Sequence, residues 1–160
     1  MVSLLDEQGL RQRAVGLLSR RDHSRQELAQ KLRSKAESAD DVEAVLRWCE
    51  EHDFLNDQRF ARFFVQSRID RGHGPLRIRQ ELRLKGIPAP LVEQMFDECQ
   101  ERDVDWFALA ASALQRRFKH AADDDLKAKA RQLRFLQSRG FDAEHCYAAL
   151  DVLRNVDNDA

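Results

Sequence analysis

The chain repeats itself at an interval of about fifty residues, and this internal repeat constrains the fold more than any other feature. When the sequence is shifted by this interval, apolar positions align with apolar positions. Examples are Leu28 with Ile78, Leu32 with Leu82, Val42 with Val92 and Cys49 with Cys99. A slightly longer shift aligns the second copy with a third, pairing Gly86 with Gly140 and Ile87 with Phe141. Matched apolar positions are what a repeated packing unit requires, because each copy buries the same face.

Each copy has the apolar spacing of three short helices. In the first copy, Ser24 and Glu27 form a capping-box pattern at the start of the second helix. In the second copy, Pro75 suits the first turn of a helix, and Gly86 suits the left-handed position that ends one. The buried stripe of the second copy's first helix is predicted to comprise Phe60, Phe63 and Phe64.

These patterns predict an all-α fold of three tandem three-helix repeats, arranged as an elongated, curved helical array. The predicted repeats cover residues 10–55, 56–104 and 105–154, with flexible termini at 1–9 and 155–160. The composition agrees, because 34% of the residues are charged and only six are glycine and three proline. So few turn residues argue against a sheet with many hairpins.

The sequence contains no motif that indicates catalysis, metal binding or a cofactor. Phosphate-binding loops, metalloprotease helices and hydrolase elbows are absent, and the five histidines lack partners at metal-ligand spacing. Cys49, Cys99 and Cys146 are widely spaced on apolar helix faces, where we expect inert thiols. We therefore expect a protein that is not an enzyme and has no small-molecule substrate. No long apolar segment or leader is present, so we expect a cytoplasmic protein that does not bind or span a membrane.

The charged residues are segregated along the chain although the net charge is only −1. Residues 10–35, 58–85 and 116–139 are basic, and the segments that follow each of them are acidic. Most cations of the second basic segment are arginines, which bind phosphate or carboxylate groups in a two-pronged geometry. This pattern predicts an anionic partner. The alternative is that the arginines pair internally with the acidic third helices of neighbouring repeats.

The central segment resembles the RecX family. The resemblance rests on Leu55-Asn-Asp57, Arg59-Phe-Ala61, Ser67-Arg68, Gly72-His-Gly-Pro75, Arg77-Ile-Arg-Gln-Glu-Leu82 and Lys85-Gly-Ile87. Leu17-Leu18-Ser-Arg-Arg and Ser24-Arg-Gln-Glu-Leu28 resemble the opening repeat of the same family. In the third repeat only the packing positions are shared.

This resemblance implies a regulator of the recombinase RecA that binds in the groove of the RecA–single-stranded DNA filament and limits its growth. The candidate contact residues are Arg20, Arg21, Arg25, Arg68, Arg71, Arg77, Arg79, Arg83 and Lys85. Gly72, Gly74, Pro75 and Gly86 are expected to shape the backbone. The protein is expected to be a monomer. The alternatives are direct DNA binding through the basic face, or a helical adaptor for another acidic protein.

Overall fold

The computed structural model describes residues 3–159, and these residues form nine helices and no β-strand. The helices are α1 (Glu7–Arg20), α2 (Arg25–Arg33), α3 (Ala39–Glu51), α4 (Asp57–Asp70), α5 (Pro75–Leu84), α6 (Ala89–Glu101), α7 (Trp106–Arg117), α8 (Leu126–Arg139) and α9 (Ala143–Asp159). An isolated parallel bridge joins Leu5 to Ala36. The predicted all-α class is confirmed. Within the described range, every helix is too short or too polar to cross a lipid bilayer.

Local side-chain chemistry sets the helix ends as the sequence predicts. At the start of α2, the Glu27 backbone N–H donates to Ser24 Oγ over 3.2 Å, and the Ser24 N–H donates to Glu27 Oε1 over 3.3 Å. This reciprocal capping box satisfies two N–H groups that the helix leaves without partners. Pro75 is the first residue of α5. At the end of α8, Gly140 adopts a left-handed conformation with φ of 98°.

The chain divides into two compact units, each with its own buried residues. Among the described residues, the first unit contains the chain up to Phe63 together with Leu82–Glu93, and the second contains Phe64–Glu81 together with the chain from Gln94 onward. In the first, α1, α2 and α3 pack around Leu10, Leu28, Val45 and Leu46. In the second, α7, α8 and α9 pack around Leu114, Leu136, Phe141, Cys146 and Leu150. The apolar positions aligned by the repeat are therefore core positions.

The structure corrects one predicted core residue, Phe63. Phe60 and Phe64 are buried, but the side chain of Phe63 is 67% exposed. Phe60, Ala61, Phe64 and Val65 form the buried face of α4, and at 100° per residue Phe63 lies outside the arc that they span. Leu76 and Leu84, which lie among the arginines of α5, are exposed.

Helical structure extends into both segments predicted to be flexible termini. Residues 7–9 belong to α1, and residues 155–159 belong to α9. Asp6 caps α1 by accepting a hydrogen bond from the Gly9 N–H over 2.9 Å. Part of the predicted termini, residues 1, 2 and 160, lies outside the described residues.

Within the first unit, the carboxylate of Glu27 joins α2 to the segment that follows α5. It accepts two hydrogen bonds from the Arg21 guanidinium, over 2.8 and 3.2 Å, and one from Lys85 Nζ over 3.2 Å. Burial of the carboxyl group raises its pKa, but these hydrogen bonds and the two positive charges outweigh that effect and lower the pKa of Glu27 to about 2. The Ser24 hydroxyl also donates to the Lys85 carbonyl over 2.7 Å. This segment is therefore held by both charged and neutral contacts.

Replacement of the fully buried Leu82 by aspartate is expected to abolish the cooperative unfolding transition. Loss of a buried leucine side chain alone costs about 2–5 kcal/mol, and an unpaired carboxylate in its place adds a desolvation cost. Thermal denaturation followed by circular dichroism measures the effect. Leu84→Asp, two residues along the same helix at a position that is 70% exposed, is the matched control and is expected to unfold as the wild type does. Equal melting curves for the two variants would contradict this packing.

Glu27→Gln is expected to destabilise the protein at pH 7 and to lose this effect in strong acid. The pKa of Glu27 is lower in the folded state than in the unfolded state, so its ionic contribution is complete above the ordinary value and disappears as the pH falls through about 2. Glutamine preserves the capping-box hydrogen bond and removes only the charge. Urea denaturation midpoints across this pH range measure the difference. Glu51→Gln, at an exposed position, controls for a general charge effect. A loss of stability in Glu27→Gln that does not depend on pH would refute the ionic explanation.

Candidate functional site

In the first unit, three of the predicted contact residues are engaged by carboxylates. Arg21 and Lys85 both bind Glu27. Arg25, at the start of α2, donates to Glu43 over 2.6 Å and to Glu50 over 2.9 Å, and both acceptors lie on α3. The alternative of internal pairing with an acidic third helix thus describes Arg25, although the partner helix belongs to the same repeat.

Arg20 and Arg83 also belong to the first unit, but their side chains lie in a different environment from those of these three residues. Arg20 ends α1 and Arg83 lies in the last turn of α5, and both side chains are exposed. Neither makes an ion pair with a carboxylate in the described part of the chain. Their N–H groups are therefore available to an external acceptor.

In the second unit, Glu81 on α5 holds two other predicted contact residues. Arg68 Nε donates to Glu81 Oε2 over 2.8 Å, and Arg77 Nε donates to Oε1 over 2.8 Å. Burial raises the pKa of Glu81, but the hydrogen bonds from the two arginines outweigh burial and hold the pKa below its ordinary value. Arg77 also donates to the Ser138 carbonyl over 3.2 Å. The two arginines consequently help to build the second unit.

Arg79 and Arg71 complete the predicted set in this unit. The guanidinium carbon of Arg79 lies 4.4 Å from the centre of the Phe96 ring, an arrangement typical of a cation–π contact. Arg71 directly follows α4 and is exposed, without a carboxylate in ion-pair range among the described residues. Arg71 thus resembles Arg20 and Arg83 in having its charge uncompensated.

The glycines of the central motif lie where a side chain would be strained or would collide. Gly72 and Gly86 have φ values of 82° and 79°, in the left-handed region that favours glycine. A Cβ atom at Gly74 would lie 2.5 Å from the carbonyl carbon of Gly140. This close approach allows the Gly74 N–H to donate to the Arg139 carbonyl over 2.7 Å. Pro75 then begins α5, so the motif positions this helix and its arginines.

His73 lies in the same motif, and the surrounding positive charges affect the pKa of its imidazole. Burial lowers its pKa, and the charges of Arg77, Arg68 and Arg139 lower it further against the opposing effect of Glu81. Its Nδ1 atom is 4.0 Å from Glu81 Oε1 and makes no hydrogen bond. These effects favour the neutral form of the His73 imidazole.

Sequence reasoning missed a second group of arginines in the second unit. Arg71, Arg116, Arg117 and Arg139 line one pocket of about 190 Å³, together with Gly72, Ala113 and Phe135. Only Arg71 was among the predicted contacts. The third repeat shares just its packing positions with the others, so no motif marked these arginines. The adjacent arginines at the end of α7, Arg116 and Arg117, are the sequence feature that could have pointed to this group.

The described residues show no group of three or more histidine, cysteine, aspartate or glutamate side chains arranged to hold a metal ion. The three cysteines are free and buried. Burial raises the pKa of Cys49 to about 11 and also raises the pKa of Cys99 and Cys146. Thiols that remain protonated at neutral pH are poor nucleophiles and poor metal ligands.

Comparison with known proteins gives the same family throughout the chain. Three family models match in tandem: the first three-helix domain of RecX over residues 11–49, the second over 56–95 and the third over 103–150. The crystal structure of RecX from Lactobacillus salivarius shares the fold with a TM-score of 0.76 at 20% identity, covering 92% of this chain and 96% of that one.

Curated relatives named regulatory protein RecX match at higher identity. The Vibrio vulnificus protein is 42% identical over 137 residues, which cover 86% of this chain and 88% of the relative. The Escherichia coli (strain SE11) protein is 39% identical over 153 residues, covering 89% of each chain. With three tandem domain matches and this level of identity, the chain belongs to the RecX family of regulatory proteins.

Proposed function

We propose that this protein is a negative regulator of RecA that binds in the groove of the RecA–single-stranded DNA filament. By limiting filament assembly and activity, it modulates homologous recombination, DNA repair and the SOS response. The observation that carries the proposal is family membership together with exposed arginines that make no ion pair with a carboxylate within residues 3–159. The protein acts by binding rather than by catalysis, as a cytoplasmic monomer.

The electrostatics of the described residues support an anionic partner. Arg20, Arg71 and Arg83 are exposed and lack a carboxylate in ion-pair range. Their guanidinium groups fit the phosphates of DNA and the carboxylates of an acidic protein surface equally well. A filament of recombinase on DNA offers both kinds of acceptor in one groove. Arg25 and Arg68 are less suited to this role because their donors already serve internal carboxylates.

A second candidate function is direct binding to DNA without a recombinase. It is favoured by the four arginines that line one pocket in the second unit. Binding to DNA alone weakens steeply with salt, because each phosphate contact releases counterions. Regulation of RecA instead requires the recombinase to be present.

Addition of the protein to RecA and single-stranded DNA is expected to suppress DNA-dependent ATP hydrolysis at amounts well below those of RecA. Occupation of the filament groove explains this effect, since one bound molecule can limit growth beyond its own position. The measurement is the rate of ATP hydrolysis against regulator concentration. Undiminished hydrolysis at equimolar protein would exclude this function.

The double variant Arg20→Glu with Arg83→Glu is expected to need at least about tenfold more protein for half-maximal inhibition, which corresponds to roughly 1.4 kcal/mol of binding free energy. Both side chains are exposed and unpaired, so the fold should be preserved, as circular dichroism would show. The control is Arg134→Glu with Arg154→Glu, which makes the same change in net charge at other exposed positions. Equal losses in both double variants would show that only net charge matters and would contradict the assignment.

A further inference from the structure

The pocket lined by Arg71, Arg116, Arg117 and Arg139 concentrates four positive charges in one concavity of the second unit. Arg71 follows α4, Arg116 and Arg117 end α7, and Arg139 ends α8. Cations at the C-terminal ends of helices are favoured by the macrodipole, which places about half a negative charge at that end. Helix ends therefore account for part of this arrangement, but they leave a net positive charge over the pocket.

No carboxylate offsets these four arginines within the described residues. None of them forms an ion pair there, in contrast to Arg68 and Arg77 nearby in sequence. A gathering of like charges without compensation costs electrostatic free energy, which an anionic ligand would relieve.

Aromatic rings beneath two of the arginines orient them without using their N–H groups. The Arg139 guanidinium carbon lies 5.1 Å from the Phe135 ring centre, and that of Arg117 lies 5.0 Å from the Phe118 ring centre. The two rings contact each other edge to face at 5.7 Å. An arginine stacked in this way keeps its donors free for an acceptor, and it loses less conformational freedom on binding.

We propose that this pocket binds the phosphodiester backbone of single-stranded nucleic acid. Phosphate oxygens accept the forked donors of several arginines at once. A flexible single strand can bend a phosphate into a concave site, and Phe135, which lines this site, holds the Arg139 guanidinium over its ring. The site needs no recombinase. It rests on the second candidate function, direct DNA binding, and not on the regulation of RecA.

The test measures fluorescence anisotropy of a labelled oligothymidylate with the full-length protein across a salt titration. Arg116→Ala with Arg117→Ala is expected to weaken binding at least about tenfold in moderate salt, and to reduce the salt slope by about 1.4, since each single-strand phosphate contact contributes about 0.7. Arg131→Ala with Arg134→Ala removes the same charge from exposed positions of α8 outside the pocket, and is expected to bind nearly as the wild type does. The exposed single variant Arg71→Gln should show a smaller loss in the same direction.

The proposal is overturned if the wild type fails to bind the oligonucleotide, or if the pocket and control variants lose affinity equally. Tighter binding of duplex than of single strand, with the same sensitivity to Arg116 and Arg117, would overturn the single-strand assignment. Unchanged melting temperatures of all variants would show that a loss of oligonucleotide binding does not result from unfolding. Inhibition of RecA is assayed separately, so loss of DNA binding with full inhibition identifies two independent activities.

Discussion

Carboxylates that each bind two cations occur in both compact units, and such pairing reduces the number of basic side chains that remain for a partner. Glu27 binds Arg21 and Lys85 in the first unit. Glu81 binds Arg68 and Arg77 in the second. A guanidinium group whose donors already serve a protein carboxylate has fewer left for an external anion. The density of arginine along the chain therefore overstates the charge available for binding.

This division gives the basic residues two separate tasks. The paired cations connect helices within a unit, although partly exposed ion pairs of this kind contribute only about 0–1 kcal/mol each. The unpaired arginines raise the positive potential of the surface. Such a surface attracts polyanions over a distance and then binds them by forked hydrogen bonds. A protein that acts on a protein–DNA filament by binding, as proposed above, needs this combination on a helical scaffold.

The sequence predicted the features that depend on local chemistry, including the capping box at Ser24 and the start of α5 at Pro75. Helical spacing could not decide between neighbouring phenylalanines, so the exposure of Phe63 was missed. The pair of Arg77 and Glu81 follows from their separation of one helical turn. The contact of Arg68 with the same carboxylate joins two helices and depends on tertiary packing, as does the pocket that brings Arg71 together with Arg116.

The most direct test of this account compares the reactivity of individual arginines in the free protein and in its complex with RecA on single-stranded DNA. Arginine-selective modification by phenylglyoxal, read by mass spectrometry, reports each guanidinium group separately. We predict that Arg20, Arg71 and Arg83 react readily in the free protein and become protected in the complex. Arg25 and Arg68, held by internal carboxylates, should change little. Protection of the paired arginines, with Arg20, Arg71 and Arg83 still reactive in a fully formed complex, would contradict the account.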